Sequence, residues 1–344
     1  MIFIDACRGI KREYAPVWMM RQAGRYLPQY REVRARLGSF LNLCESPKDA
    51  AEVTLQPVKE LGVDAAIIFS DILIVPQKMG LELDFKENEG PVFANTVSDL
   101  ASIERLKFGP EVASELGYMY EALELTRKKL DPNKALIGFC GAPWTLLTYM
   151  VEGKGSKSFA KSKKFIYGQK LLAHALLEKL TQSLQHFLLS QINAGANAVM
   201  IFDSWASALE ASAYEEFGLG YIRKIASYLK RHAPDIPLIV FSRAAADFYE
   251  LHFGDNVDVI ALCQNDDALK AARAFGSRYS LQGNLEPARL YDANAIAIGV
   301  SRIRAAMDMG AARAHIFNLG HGIAPDTPVE NAKLFVKLAQ EPFI

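Results

Sequence analysis

Short apolar runs alternate with long amphipathic stretches along almost the whole chain, and this alternation restricts the possible folds more than any other feature. The runs are Val17–Met20, Ala65–Phe69, Ala135–Phe139, Ala198–Phe202, Leu238–Phe241, Val257–Leu262, Tyr279–Leu281 and Ala314–Phe317. Several are apolar throughout, as expected of parallel strands covered on both faces. Between them, apolar residues recur at helical spacing over Lys48–Leu61, Glu115–Leu130, Leu171–Ile192, Tyr214–Arg231, Asp266–Phe275, Ala293–Met309 and Pro328–Leu338. Ser46-Pro47 supplies a cap residue and a first-turn proline for the earliest of these. Leu81–Ala94 reads as an inserted hairpin with its turn near Lys86–Gly90. Strand and helix in regular alternation leave two solutions, a barrel or a doubly wound sheet.

The residues at the ends of the runs favour the barrel. Polar and glycine-rich clusters stand at their C-terminal ends: Arg21-Gln22-Ala23-Gly24-Arg25, Ser70-Asp71, Gly141-Ala142-Pro143, Asp203-Ser204, Gly283-Asn284 and Gly320-His321-Gly322. Barrel enzymes assemble their sites on that face. Neither G-x-G-x-x-G after the first run nor G-x-x-x-x-G-K-[ST] occurs, so the nucleotide-binding alternatives lose their usual signature. We expect an α/β fold, with residues 1–344 forming a single (β/α)8 TIM barrel and catalytic domain. The 344 residues and a half-hydrophobic composition suffice for one large core.

Charge and cysteine content narrow the function classes. Lys plus Arg and Asp plus Glu number 39 each, and a net charge of zero argues against nucleic acid or a membrane surface as partner. Any anion site must be local. No apolar run reaches the ~18 residues of a membrane span, and Met1–Lys11 has no apolar leader core. Cys7, Cys44, Cys140 and Cys263 form no C-x-x-C pair, which fits reduced thiols and a cytoplasmic location.

Chemistry-bearing residues concentrate in the clusters. Arg21 and Arg25, four apart with alanine and glycine between, suit bidentate binding of carboxylates; a solvated loop with two ion pairs is the plainer alternative. Asp71 is a lone acid closing an apolar run, where an unpartnered carboxylate is costly. It suits a metal ligand, a base or an acceptor for ligand N–H groups, or else an N-cap. The turn Gly141-Ala142-Pro143 offers backbone N–H groups to a ligand, with Tyr149 near the same mouth. Ser204 has no G-x-S-x-G elbow, so it reads as a hydrogen-bond donor rather than a nucleophile. His321, between two glycines, faces the mouth. His174, His186, His232, His252 and His315 sit in packing contexts.

Together these residues resemble one family, uroporphyrinogen decarboxylase. Pro16-Val17-Trp18-Met19-Met20-Arg21-Gln22-Ala23-Gly24-Arg25-Tyr26-Leu27-Pro28 is similar to its N-terminal signature. Gly141-Ala142-Pro143-Trp144-Thr145-Leu146-Leu147-Thr148-Tyr149-Met150-Val151-Glu152-Gly153 is similar to its second. Phe69–Leu73, Phe202–Trp205, Gln282–Leu285 and Asn318–Gly322 match in the right order, and the resemblance spans Ala15 to Leu338. It implies a (β/α)8 barrel, a homodimer, no cofactor or metal, and a tetrapyrrole substrate that loses four acetate carboxyls as CO2. It also implies substrate contacts at Arg21, Gln22, Ala23, Gly24, Arg25, Asp71, Tyr149, Ser204 and His321, with Asp71, Arg21 and Arg25 at the chemistry. The chain departs from the family's pattern at Ser207, Glu210-Ala211, Arg243-Ala244-Ala245, Ala261-Leu262-Cys263-Gln264 and Glu286.

Two alternatives remain. One is a zinc-dependent methyltransferase of the same superfamily with a corrinoid methyl donor, which resembles enzymes with a His-x-Cys…Cys site. The positions two before each cysteine hold Asp5, Asn42, Gly138 and Ala261, so that site is missing. The other is a non-catalytic tetrapyrrole carrier; retention of Asp71 and both arginines argues against it.

Overall fold

The structure, a computed structural model, describes residues 1–86, 90–243 and 253–343. Its centre is a curled, all-parallel sheet of seven strands. These are β1 (Ala65–Ile67), β4 (Ala135–Gly141), β5 (Ala198–Asp203), β6 (Leu238–Ser242), β7 (Val259–Ala261), β8 (Ser280–Gln282) and β9 (His315–Ile316), hydrogen-bonded in that order. β2 (Leu83–Lys86) and β3 (Gly90–Phe93) pair antiparallel as the expected hairpin, whose turn at 87–89 lies outside the described residues.

The sheet strands are buried on both faces because a helix follows almost every one. Apolar side chains therefore pay no exposure penalty on either side, and the strand sequences show no alternation. Helices Pro47–Leu61, Gly117–Lys129, Lys170–Asn193, Ala293–Met309 and Val329–Ala339 fall within two residues of their expected positions. Ser46 does occupy the N-cap of the first, but its hydroxyl donates to the Asp49 carboxylate and accepts no helix N–H. The buried side chains join into one apolar cluster running from Phe3 to Ala339.

Two expectations need correction. Val17–Met20 is not a laddered strand. Val17 makes one isolated parallel bridge with Phe317, through Trp18 N–H to Phe317 O at 3.2 Å and Phe317 N–H to Pro16 O at 2.8 Å. On its other side, Asp64 N–H donates to Val17 O at 2.8 Å. The segment thus lies between β9 and β1, and its polar tail turns away before a ladder can form. Tyr214–Arg231 is also not one helix. A short helix Ala211–Tyr214 runs through a π-helical turn, Glu215–Leu219, into helix Gly220–His232. A β-carbon on Gly218 would stand 2.5 Å from the Tyr214 ring, so glycine lets that ring lie flat across the turn.

Candidate active site

Every candidate side chain projects from a loop beyond a strand's C-terminal end or, for Tyr149, from the helix that follows β4. The loop after Val17 carries Arg21. It is stitched across the sheet to the loop after β9: Met20 N–H donates to Asn318 Oδ1 at 2.9 Å, and Ile323 N–H to Met20 O at 3.0 Å. Asn318 Oδ1 also accepts from Leu319 N–H at 2.7 Å. These bonds bring Arg21 beside His321. The fit is close: a β-carbon on Gly322 would fall 2.3 Å from Arg21 Cδ. Arg21 itself holds φ at +61°, a left-handed conformation that costs a non-glycine residue ~1–3 kcal/mol and is typical of functional positions.

Asp71 follows β1. Its Oδ1 accepts Leu73 N–H at 2.8 Å, which turns the chain sharply and fixes the carboxyl. Burial raises its pKa, opposed by the Leu73 hydrogen bond and the Arg21 guanidinium. Tyr149 sits on helix Pro143–Glu152. Its hydroxyl is raised by burial and further by the Asp71 charge, and lowered by Trp205 and Arg21. His321 is lowered by burial first, then by the Arg21 and Arg243 charges, and so favours the neutral imidazole. Arg21, Asp71, Tyr149 and His321, from four separate elements, therefore share one electrostatic neighbourhood. Ser204 stands half-buried at the end of β5.

Other expected residues take different parts. Gln22 is fully buried; its Nε2 donates to Ala65 O at 3.0 Å and its Oε1 accepts Met19 N–H at 3.1 Å. Its side chain braces the arginine loop against β1. Ala23 and Gly24 are half-buried in that loop. Arg25 is exposed, and its charge reaches the Tyr30 hydroxyl. The Gly141-Ala142-Pro143 turn is buried, and Ala142 N–H donates to Phe202 O at 2.9 Å, so that donor holds the sheet together and is not offered to a ligand. His315 is buried with its pKa pushed down to about 4, and its Nε2 lies 2.7 Å from Gly283 O. His174, His186 and His232 contact Phe217, Tyr228 and Tyr228 respectively. His252, Ala244 and Ala245 lie outside the described residues.

A second layer escaped the sequence reading. Asp203, fully buried, accepts the Thr145 hydroxyl at 2.6 Å, with Tyr214 alongside; burial raises its pKa to about 6. Thr145 Oγ1 in turn accepts Trp205 N–H at 3.2 Å, and Trp144 Nε1 donates to Trp205 O at 2.9 Å. This layer sets Ser204 and Trp205. An acid beside a serine carried the only signal for it. All four cysteines are buried thiols outside any disulfide, and among the described residues no three His, Cys, Asp or Glu side chains converge as a metal site. Among the described residues no helix is long and apolar enough to cross a membrane.

Known proteins resemble this chain in sequence and in fold. The family model described as uroporphyrinogen decarboxylase matches residues 2–342. The chain is 54% identical over 341 residues to a uroporphyrinogen decarboxylase of Campylobacter lari, covering 99% of each chain. It is 53% identical over 338 residues to one of Helicobacter pylori, covering 98% of each. Among solved structures it is similar in fold to a methyltransferase from Methanosarcina mazei, with a TM-score of 0.78, 19% identity, and coverage of 98% of this chain and 96% of that one. Sequence likeness of that extent leaves one assignment: the chain belongs to the uroporphyrinogen decarboxylase family.

Proposed function

We propose that the chain is a carboxy-lyase of porphyrin and haem biosynthesis, converting uroporphyrinogen III to coproporphyrinogen III by removing four acetate carboxyls as CO2. The observation that carries this reading is the meeting of Arg21, Asp71 and Tyr149, one cation, one raised carboxyl and one phenol from separate elements. An acetate on a pyrrole has no electron sink until the ring becomes one. Protonation of a ring α-carbon makes the ring cationic. The carboxylate C–C bond then breaks, CO2 leaves, and the bonding pair flows into the ring. A proton taken up at the exocyclic carbon makes the methyl group, and loss of the ring proton restores the pyrrole.

In this reading Asp71 accepts the inner pyrrole N–H groups, and its charge favours the cationic intermediate over the neutral ground state. Arg21 and Arg25 hold substrate carboxylates. Tyr149, Ser204 and His321 contact the side-chain carboxylates, and the Gln22-Ala23-Gly24 backbone lines the same loop. No metal or organic cofactor enters any step. The Pro16–Trp18 segment acts as the eighth stave that closes the barrel, residues 1–344 form one catalytic domain, and the enzyme works as a cytoplasmic homodimer, as the family resemblance implies.

The test compares reduced and oxidised uroporphyrin at equal concentration under anaerobic conditions. Porphyrinogen offers four inner N–H groups on a flexible macrocycle, whereas oxidised porphyrin is flat, has two, and resists protonation at carbon. Product is expected from the reduced form alone, with weak inhibition by the oxidised one. Equal loss of CO2 from both would rule out the pyrrole as electron sink. Binding without turnover would favour the carrier.

A further inference from the structure

Arg243 begins the loop after β6, and its backbone N–H donates to Asp203 O at 3.1 Å, continuing the register of the sheet to its edge. Its guanidinium lies 5.8 Å from the Trp205 ring centroid. Trp205 is itself wedged, with its ring 6.3 Å from Tyr149 and 5.1 Å from Phe159. The arginine is half-buried on this aromatic platform and forms no ion pair with any carboxylate among the described residues. Its charge and that of Arg21 both act on His321, although the two arginines arise from well-separated loops. Arg21, His321, Arg243, Trp205 and Tyr149 thus neighbour one another around a single rim.

We propose that Arg243 is a further carboxylate-binding residue of this site, gripping a side-chain carboxylate of the substrate across the mouth from Arg21. A guanidinium held near an aromatic ring keeps N–H donors available to a carboxylate. A half-buried cation that pairs with no carboxylate among the described residues is well placed for a bound anion. A substrate with eight carboxylates brings more negative charge than Arg21 and Arg25 can neutralise. The proposal rests on the tetrapyrrole reading of the site.

Steady-state kinetics of wild type, Arg243→Gln and Arg243→Lys with reduced uroporphyrinogen III test it. Arg243→Gln should raise KM ~10-fold or more while kcat stays within about threefold, because the contact acts in binding. Arg243→Lys should fall between, since it keeps charge but loses the planar fork. An unchanged KM in folded Arg243→Gln overturns the proposal and leaves the decarboxylase reading standing, and so does a loss confined to kcat. Should Arg243→Gln not fold, Arg243→Lys decides: a KM raised about threefold supports the contact, and a wild-type KM overturns it. Should wild type not turn over uroporphyrinogen at all, the activity fails separately. Quenching of tryptophan emission by oxidised uroporphyrin then reads the anion contact: binding ~10-fold weaker in Arg243→Gln supports it, and equal binding overturns it.

Discussion

Asp71 and Asp203 both end apolar strands and both are raised by burial, yet their surroundings give them different work. Asp71 is half-buried and faces Arg21 and Tyr149, while Asp203 is fully enclosed and bonded to Thr145. Replacing Asp71 by Asn keeps its size and removes the charge proposed to offset a cationic intermediate. Coproporphyrinogen formation should fall ~10²-fold with the circular dichroism spectrum unchanged, and near-normal turnover would remove Asp71 from the mechanism. Asp203 answers to pH instead. Its pKa is about 6 in the folded protein against ~3.9 for an unfolded Asp, so between those values the folded state binds more protons. Stability is then fully present below the lower value and is lost as pH rises through the upper one. Relative to Asp203→Asn, wild type should lose about 2 kcal/mol between pH 4.5 and 7.5 in urea unfolding. A difference that does not move with pH would mean that the carboxyl titrates as it does in the unfolded chain.

The loop after β9 shows how an element converts local geometry into a site. Gly320 and Gly322 flank His321 and read alike in sequence, but their surroundings differ. A β-carbon on Gly320 would fall 2.2 Å from Gln264 N and 2.7 Å from Cys263 C, both rigid backbone. The three atoms nearest to one on Gly322 all belong to the flexible Arg21 side chain, with Cδ at 2.3 Å. Gly320→Ala should therefore cost about 3 kcal/mol of stability, since the backbone must part to admit it. Gly322→Ala should melt close to wild type but lose ~10-fold or more in kcat/KM, because it pushes aside the guanidinium proposed to hold a substrate carboxylate. Thermal unfolding and kinetics on the pair separate the two effects, and a loss of stability shared equally by both would contradict this picture. The π-helical turn at Glu215–Leu219 belongs to the same scale: apolar spacing predicts a helix there, but only the packing of the Tyr214 ring against Gly218 shows why it bulges.

At the scale of the whole molecule, Asp64 ties distant parts of the chain around the N-terminal side of the sheet. Its buried carboxylate accepts Val17 N–H at 2.9 Å, Lys134 Nζ at 3.0 Å, Tyr14 OH at 3.2 Å and Gln340 Nε2 at 3.0 Å. Asp64→Ala leaves buried donors and a lysine without their acceptor and should cost about 3 kcal/mol, lowering one cooperative transition. A change under ~0.5 kcal/mol would show that the closure next to β1 does not depend on it. The alternation of runs established the parallel sheet, its order of elements and most helix ends. That much is readable from the sequence because burial on one or both faces is a periodic property of neighbouring residues. Asp71, Tyr149 and His321 were legible for a similar reason, as polar residues in or just beyond apolar segments. The side-chain work of Gln22, the pairing of Arg21 with Gly322, the Asp203–Thr145–Trp205 layer and the seat of Arg243 on Trp205 were not. Each depends on which loops meet across the mouth, and some of the partners lie far apart in the chain. Such contacts are chosen by the closing of the sheet and the volumes of the side chains packed there, so only the tertiary structure decides them.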